Sequence, residues 1–586
     1  MKNRSNYDRR PAVTVSDTDS DCTLGWQEIL AILSAHTEAR RIAIECYPGV
    51  LIEPLRDKLV CGLKPELVLD PAEAMLEPKV LEDKFARVLG NDPVVGLMEP
   101  HTIDEFIDPA KVAQNRRTAE SRRGRILAIG TGATLLLPEC DLLIYVDLAR
   151  WEIQQRQRRG EIPSLGLANA GAAAGQLYKR AFFLDWRAAD CLKNELYERV
   201  DFWIDGNRPD QPAMISGRQL RAALETVSRQ PFRVVPFFDP GPWGGQWMRR
   251  HFDLPDGPAN YAWCFDCVPE ENSLILRFGQ REFELPALTL VHRQAPNLLG
   301  AHIVEQFGAE FPIRFDFLDT IEGGNLSLQV HPLSHYIREQ FGLSYTQDES
   351  YYLLDAEPDA TVYLGLREGI DRARMAADLR SAQAGGPAFP AEQYVNIWPA
   401  RKHSHFLIPA GTIHCSGRNS LVLEISATPY IFTFKLWDWS RLGLNGQPRP
   451  IHLEHGLRNI QWDRTTSWVR EHLIDQEEQV GEGVGWREER TGLHSLEFIE
   501  TRRHWFTGPV EHDTRGNLHV LNLVEGNAVV VESPTSAFAP LTIHYAETFI
   551  VPAAVGPYTI RPAQPSEQPL ATIKAYVRGG SNVHNS

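Results

Sequence analysis

The pattern of polar and apolar residues changes near residues 228–231, and this change limits the fold more than any other feature of the chain. Before it, helical periodicity alternates with short apolar runs at residues 41–45, 124–129 and 142–147. The last two runs are continuous, as in buried parallel strands. After it, Gly, Pro and alternating side chains indicate all-β architecture. The sequence therefore predicts a multidomain protein in which a doubly wound α/β domain precedes an all-β region.

Length and charge restrict the class of protein. A chain of 586 residues predicts about two to four domains, and its formal net charge of -16 argues against a nucleic-acid surface, which needs a basic excess. No run reaches about 18 apolar residues, and the polar start is not a secretory signal, so we expect a cytoplasmic protein with no membrane partner. The eight cysteines are expected to be reduced, with the pair Cys264 and Cys267 structural.

A candidate metal site lies in the all-β region. Residues 325–331 alternate, so that Ser327, Gln329 and His331 share one face of a predicted strand. Glu349 follows, and His414 closes a Pro-x-Gly-x-x-His run. Two imidazoles, a carboxylate and an amide oxygen from three strands can bind a divalent metal and leave one position open.

The same residues carry a family resemblance. Residues 409–414 match the second half of the cupin signature, and residues 326–332, 349–356 and 408–414 resemble zinc-dependent (class I) mannose-6-phosphate isomerases in order and spacing. A Trp-Gly-Gly element at residues 243–245 is similar to one in that family. The resemblance spans roughly residues 231–580 and implies two cupin jelly rolls and a phosphorylated hexose substrate. It also implies a Zn²⁺ ion bound by Gln329, His331, Glu349 and His414.

Catalytic candidates also follow from the resemblance. Lys435 occupies the place of an arginine considered catalytic in the shorter bacterial members. Arg441 matches the arginine that closes the family's Asp-x-x-Arg stretch, with a surface ion pair as the alternative. Glu424 corresponds to a family glutamate and is the candidate proton shuttle, with a buried structural carboxylate as the alternative. Gln347 departs from the family, because many members have a lysine there, and an amide cannot replace its charge.

The α/β domain resembles nucleoside and uridine kinases in strand order and in an arginine-rich segment after Asp147. The turn after its first strand contains Pro48 and lacks the Gly-Lys-Ser/Thr of a phosphate loop. A Gly-x-Gly element at residues 130–132 could hold an anion. We therefore expect a structural or regulatory domain with a possible bound nucleotide but no phosphoryl transfer.

These interpretations divide the chain into four parts. Residues 1–23 are expected to be a disordered tail, and residues 24–228 the kinase-like domain. Residues 231–475 are expected to form the metal-binding cupin domain with helical insertions, and residues 485–580 a second, metal-free cupin-like domain. Residues 475–485 between them are predicted to be a loop or linker.

Three functions remain open at this point. The first is the interconversion of mannose 6-phosphate and fructose 6-phosphate. The second is a non-catalytic sensor of sugar phosphates or nucleotides, favoured by Gln347 and the missing phosphate loop. The third is a non-haem iron oxygenase, because two histidines and one carboxylate can bind iron, although Gln329 would fill a position that oxygen chemistry needs. His403 and His405 are secondary candidates for the site, and His335 is expected to be solvated.

Overall fold

The computed structural model describes residues 5–428, 430, 432–492 and 494–579. They form two compact units, an α/β unit of residues 12–227 and 273–293, and a β unit of the remaining described residues. The predicted boundary near residue 228 coincides with a boundary between the units. Residues 273–293, which sequence analysis assigns to the metal-binding domain, belong instead to the α/β unit. Among the described residues, no helix is both long and apolar enough to cross a bilayer.

A parallel sheet forms the centre of the α/β unit. In chain order, the first twelve strands are β1 (Ala12–Ser16), β2 (Thr23–Leu24), β3 (Arg41–Cys46), β4 (Leu67–Leu69), β5 (Ile126–Gly130), β6 (Leu142–Asp147), β7 (Phe202–Asp205), β8 (Ala213–Ser216), β9 (Phe237–Asp239), β10 (Trp263–Cys267), β11 (Ser273–Phe278) and β12 (Arg281–Pro286). Ten of them belong to the α/β unit, and β9 and β10 belong to the β unit. The sheet order is β2-β8-β7-β6-β3-β5-β4. Strands β4, β5, β3, β6 and β7 run parallel, and the almost complete burial of β3, β5 and β6 is that of strands covered on both faces.

Helices connect the strands of the α/β unit, and further helices lie between strands of the β unit. In chain order they are α1 (Gly25–Ala35), α2 (Ile52–Leu63), α3 (Pro78–Leu89), α4 (Pro109–Glu120), α5 (Ala133–Leu136), α6 (Arg150–Arg158), α7 (Ala174–Arg180), α8 (Trp186–Leu196), α9 (Gly217–Val227), α10 (Trp247–His251), α11 (Ala287–Leu298), α12 (Ala301–Phe307), α13 (Ser334–Phe341), α14 (Arg372–Gln383), α15 (Ala391–Tyr394), α16 (Leu453–Asn459) and α17 (Thr466–His472). The helix predicted from the arginine-rich segment after Asp147 is α6.

The prediction of a disordered tail over residues 1–23 is wrong for much of its length. Strand β1 pairs in parallel with β11, which is also paired with β12, and Val13 is buried there. Within the β unit, Tyr7 is buried and its hydroxyl donates to the Asp266 carboxylate at 2.5 Å. Apolar alternation in residues 12–16 is too short to stand out among polar neighbours, and a partner strand about 260 residues away stabilises it. Residues 1–4 lie outside the described part of the chain.

The β unit contains two jelly rolls, each made of two facing sheets. Its further strands are β13 (Arg314–Asp319), β14 (Leu328–Val330), β15 (Asp348–Ala356), β16 (Thr361–Leu366), β17 (Val395–Pro399), β18 (His405–Ile408), β19 (His414–Ser416), β20 (Ser420–Ala427), β21 (Phe434–Trp437), β22 (Glu478–Gly483), β23 (Trp486–Gly492), β24 (Ile499–Phe506), β25 (Val510–Asp513), β26 (His519–Glu525), β27 (Ala528–Glu532), β28 (Leu541–His544), β29 (Thr548–Val551), β30 (Pro557–Pro562) and β31 (Leu570–Val577). The first jelly roll has the sheets β18-β15-β20-β13-β10-β9 and β17-β16-β19-β14-β21. The second has β22-β23-β24-β31-β26-β29 and β25-β30-β27-β28.

The linker predicted over residues 475–485 is wrong in its centre. Strand β22 is an edge strand that pairs antiparallel with β23. Its residues are mostly exposed, so hydrogen bonds to β23 rather than a buried apolar face hold it in the sheet. A polar sequence with three glycines does not reveal a strand of this kind.

The Gly-x-Gly element of the α/β unit already binds a carboxyl group that belongs to the chain itself. The backbone N–H of Gly132 donates to Glu45 Oε1 at 2.5 Å, and the N–H and hydroxyl of Thr134 donate to Oε2 at 2.9 and 2.8 Å. Gly132 has the left-handed φ of 92° that directs these amides inward. Glu45 is fully buried, and this burial raises its pKa to about 7 despite the three hydrogen bonds.

Removal of the Glu45 carboxylate should leave these buried donors without an acceptor. We expect Glu45→Ala to lower the free energy of unfolding by about 3 kcal/mol, and Glu45→Gln, which keeps one acceptor oxygen, to lower it less. Thermal unfolding of the full chain measures both. A Glu45→Ala chain as stable as the native one would contradict this account.

The pH dependence of the same variant tests the protonation state. Between pH 4.5 and about 7 the folded chain retains a proton on Glu45 that the unfolded chain has released. This carboxyl therefore stabilises the fold more as the pH falls through that window. We expect the unfolding temperature of the native chain, relative to Glu45→Gln, to be higher at pH 5 than at pH 7.5. A difference that does not change with pH would show that Glu45 is ionised throughout.

Candidate metal centre

Both sheets of the first jelly roll contribute to the predicted metal site. Gln329 lies on β14 directly opposite His414 at the start of β19, and His331 immediately follows β14. Glu349 lies on β15 in the facing sheet. All four side chains are buried, with at most 7% of each residue exposed. The structure thus brings together the residues that sequence analysis predicts as ligands.

A glycine turn fixes the distance between the two histidines. Gly411, in the turn before His414, has a φ of 87°, and its N–H donates to the carbonyl of His331 at 3.0 Å. A Cβ at this position would lie 2.7 Å from the Gln461 side chain and 2.9 Å from the carbonyl oxygen of Asn459. Only glycine fits this conformation and this space, so the Pro-x-Gly-x-x-His spacing is a structural requirement of the site.

The donor atoms converge at short distances. Glu349 Oε2 lies 3.0 Å from His331 Nε2, and Glu349 Oε1 lies 2.9 Å from His414 Nε2. The amide nitrogen Nε2 of Gln329 lies 3.2 Å from His414 Nε2, so the amide borders the site. Donor atoms of the two histidines and Glu349 all lie within 4.8 Å of one another, and this is the only such group of three in the part of the chain that the structure describes.

Hydrogen bonds on the far side of each ring show that the site fits a metal. His331 Nδ1 lies 2.9 Å from the carbonyl oxygen of Phe432, and His414 Nδ1 lies 2.9 Å from that of Thr412. A carbonyl only accepts, so each Nδ1 carries a proton and each Nε2 faces Glu349, where it can hold a cation. Lone pairs facing a carboxylate repel it unless a cation lies between them. Two nitrogens and a carboxylate oxygen, with an amide oxygen available from Gln329, are ligands that Zn²⁺ accepts.

The protonation state of each of these groups depends on the charges of the others. Burial raises the pKa of Glu349, but His331 and His414 oppose it and leave that pKa well below the usual range. Burial lowers the pKa of His331, yet Glu349 and the Phe432 carbonyl raise it above its ordinary value. The pKa of His414 is lowered, because burial and His331 together outweigh Glu349. In the absence of a metal, one proton on His331 is therefore the cation that this cluster favours.

Two further carboxylates line the same interior. Glu424 on β20 pairs with Tyr351 on β15 and with Asp316 on β13. Burial, Asp316 and Glu349 raise the pKa of Glu424 well above its ordinary value, and burial raises that of Asp316 to about 7. Gln347 Nε2 donates to Glu349 at 2.8 Å and lies 3.4 Å from Glu424, so this amide orients both carboxylates without adding charge.

Lys435 lies on the same face as the predicted ligands. It pairs with Gln329, which pairs in turn with His414, so the three side chains form one row across the sheet. Burial, followed by the positive charge of Arg449, lowers the pKa of Lys435 to about 8. Arg441 is placed differently. Its Nε and Nη2 donate to Asp438 at 3.1 and 2.7 Å, which leaves it engaged in the turn that follows β21.

Sequence analysis did not identify Asp316, Tyr351 or Arg449 near this site. Asp316 shares one face of β13 with Arg314, between Phe315 and Phe317, and this alternation is the signal that could have found it. Tyr351 lies two residues from Glu349 on the same face of β15, and its ring packs edge-on against His414. Arg449 lies beyond a turn, where periodicity gives no information.

The remaining candidates lie elsewhere. His405 pairs with Tyr352, on the face of the sheet opposite Glu349, and His403 contacts Tyr352 and Glu525 at 2.8 and 3.1 Å. Neither reaches the metal centre, because alternation along β15 directs Tyr352 and Glu349 to opposite faces. His335 on α13 is exposed, as predicted. All eight cysteines are free thiols, including the buried Cys264 and Cys267.

Two regions of the chain are similar to known proteins. Residues 25–229 match the model of a family described as a domain of unknown function, DUF8485. YvyI of Bacillus subtilis is 22% identical over 337 residues, which cover 57% of this chain and 97% of YvyI. The mannose-6-phosphate isomerase ManA of Bacillus subtilis is 24% identical over 237 residues, 40% of this chain and 69% of ManA. The mannose-6-phosphate isomerase of Streptococcus mutans is 25% identical over 217 residues, 37% and 63% of the two chains.

Two solved structures of mannose 6-phosphate isomerases are also similar to part of this chain. The crystal structure of the mannose 6-phosphate isomerase from Bacillus subtilis covers 59% of this chain and 100% of its own, with 17% identity and a TM-score of 0.48. A mannose 6-phosphate isomerase bound with zinc and yttrium covers 60% of this chain and 99% of its own, with 13% identity and a TM-score of 0.45.

The donor geometry predicts one divalent metal ion per chain. We expect the full chain dialysed against zinc to retain one equivalent, and His331→Ala and His414→Ala to retain less than about a tenth of it, since each loses one of few ligands. Elemental analysis after removal of free metal measures this, with His405→Ala as the matched control. Equal zinc retention in the His331→Ala and His405→Ala chains would contradict the site.

Proposed function

We propose that this chain is a zinc-dependent aldose–ketose isomerase that interconverts mannose 6-phosphate and fructose 6-phosphate. One observation carries the proposal: His331 and His414, with Nδ1 engaged by backbone carbonyls, direct Nε2 at Glu349 in a buried site that Lys435 shares. The similarity to bacterial mannose-6-phosphate isomerases supports the substrate class.

The reaction moves a proton between C1 and C2 of the sugar through an enediol. A zinc ion bound by Gln329, His331, Glu349 and His414 would act as a Lewis acid toward the neighbouring sugar oxygens. The chain itself must supply a group that exchanges protons with carbon and a group that holds the phosphate.

Glu424 is the candidate for proton transfer. It is buried beside Glu349, and its raised pKa reflects burial and the adjacent carboxylates. A raised pKa makes the Glu424 carboxylate a stronger base toward a carbon-bound proton than an ordinary glutamate is, and the carboxyl so formed returns the proton to the neighbouring carbon. Gln347, whose oxygen accepts from the N–H of Phe432 at 3.1 Å, positions the amide group that lies between Glu424 and Glu349.

Lys435 is the candidate for the phosphate. Its side chain projects from the row that contains Gln329 and His414, and it makes no hydrogen bond or ion pair within the described residues. Arg441, which sequence analysis proposes as a catalytic residue, donates to Asp438 and to the carbonyl of Asn325 instead. We therefore assign Arg441 a positioning role.

A non-catalytic sensor is the second candidate, because Gln347 supplies no charge where many family members have a lysine. A sensor and an isomerase would both bind the sugar phosphate, and only the isomerase would convert it. An iron oxygenase is the third candidate, and it is disfavoured if the Gln329 amide oxygen acts as a fourth ligand, because oxygen chemistry needs that position open.

A coupled assay with mannose 6-phosphate tests the isomerase directly. We expect the zinc-loaded chain to form fructose 6-phosphate, and Glu424→Gln to lower kcat by about 10²–10⁴-fold with zinc content unchanged, because it removes the proton carrier and keeps the shape. Glu500→Gln, a buried carboxyl in the second jelly roll, is the matched control. A zinc-loaded native chain that binds the sugar phosphate without turnover would establish the sensor function.

The α/β unit should not transfer phosphate. Pro48 removes a backbone donor from the turn after β3, the turn has no lysine, and Glu45 occupies the amides of residues 132 and 134. We expect no phosphorylated product when the full chain is incubated with ATP and a panel of nucleosides and hexoses, followed by mass spectrometry. One clear phosphorylated product would make the chain bifunctional.

A further inference from the structure

Positive charge is in excess at one end of the first jelly roll. Three cations, Lys435, Arg441 and Arg449, surround a single buried carboxylate, that of Asp438. The cations lie close enough for their positive charges to repel one another. Arg449 Nη1 lies 3.3 Å from Asp438 Oδ2, and Arg441 Nη2 lies 2.7 Å from Oδ1. Three cations and one anion leave a net charge of two positive units in a partly dehydrated place, which is unfavourable without an anionic ligand.

Arg441 is not available to such a ligand. Nε and Nη2 donate to Asp438, and Nη1 donates to the carbonyl of Asn325, so all three nitrogens are engaged. The turn that it closes contains Trp439 and Ser440, both with left-handed φ values of 56° and 54°. Two consecutive non-glycine residues in this conformation are costly, and a fixed set of contacts has to maintain it.

Those contacts attach the turn to the strand that carries the metal ligands. Trp439 Nε1 donates to the carbonyl of Leu326 at 2.7 Å, and the hydroxyl of Ser327 donates to Asp438 Oδ1 at 2.9 Å. Leu326 and Ser327 directly precede β14, which holds Gln329. The position of Asp438, and of the arginines around it, is therefore fixed relative to the metal centre.

Lys435 and Arg449 retain donors that point to no group of the chain. The only contact of Arg449 with an acceptor is the Nη1 contact to Asp438, so Nε and Nη2 stay free among the described residues. Its side chain is 16% exposed, and Lys435 is partly exposed, so a small ligand can reach both. The N–H of His452 donates to the carbonyl of Lys435 at 3.0 Å, which brings the segment that carries Arg449 back alongside β21.

We propose that Lys435 and Arg449 form a binding site for a phosphate monoester dianion, with Asp438 and Arg441 as positioning residues. A guanidinium with two free donors binds two phosphate oxygens side by side, and an ammonium adds a point charge. Lys435 lies in the row that contains Gln329 and His414, so the site holds the phosphate end of a sugar whose other end faces the metal. This identification of the ligand rests on the proposed isomerase function.

Binding of a ligand that cannot isomerise tests the site apart from turnover. Isothermal titration of the zinc-loaded full chain with mannitol 6-phosphate and with mannitol gives the contribution of the phosphate. We expect Arg449→Met to weaken mannitol 6-phosphate binding about 10–100-fold and to leave mannitol binding and zinc content unchanged. Arg449→Lys, which keeps the charge and loses the paired donors, should show an intermediate loss.

The control is Arg380→Met, which removes the same charge from the exposed surface of α14, where Arg380 pairs with Glu454. It should bind mannitol 6-phosphate like the native chain. If Arg449→Met unfolds, Lys435→Met gives the same test. A native chain that does not prefer mannitol 6-phosphate to mannitol, or an Arg449→Met chain with native affinity for both, would overturn the site.

The outcomes separate this site from the proposed function. A chain that shows no isomerase activity, yet binds mannitol 6-phosphate in a manner that depends on Arg449, retains the phosphate site and loses the isomerase assignment. A chain that isomerises mannose 6-phosphate, and whose Arg449→Met variant has native affinity, retains the isomerase assignment and places the phosphate elsewhere.

Discussion

The first jelly roll depends on two hydrogen bonds that face away from its centre. The carbonyls of Phe432 and Thr412 accept from Nδ1 of His331 and His414, so each ring turns Nε2 toward Glu349. This arrangement brings three groups together that would repel one another in a buried place without a cation. Around this cluster, burial raises the pKa of Asp316 and of Glu424, so the interior favours their uncharged forms.

The two jelly rolls have the same type of architecture and different interiors. In the first, the inner face of β13, β15 and β20 carries carboxylates next to the histidines. In the second, the facing sheets enclose a buried apolar cluster that includes Phe506, Leu521, Val529 and Phe549. The first interior therefore keeps ionisable groups that can act on a ligand, whereas this cluster of the second is fixed by apolar packing.

Sequence patterns were sufficient where a side chain is fixed by its own strand. Alternation over residues 325–331 places Gln329 and His331 on one face, and the requirement for glycine at position 411 sets the position of His414. The pattern failed where the partner is remote. Strand β1 pairs with β11, and the amides expected to bind a phosphate are occupied by Glu45, 87 residues away from Gly132. Neither partner can be inferred from local periodicity.

The sequence by itself therefore determined the kinds of ligand and the strands that carry them, because a period of two and a glycine-dependent turn are local properties of the chain. Only the tertiary structure decided which charges are available. Arg441 and Arg449 have the same side chain and lie in the same turn region, but Asp438 and a backbone carbonyl engage all three nitrogens of Arg441 and only one of Arg449. The number of free donors depends on contacts with Ser327, Leu326 and Asn325, more than 100 residues earlier, and contacts of that kind form only when the strands assemble.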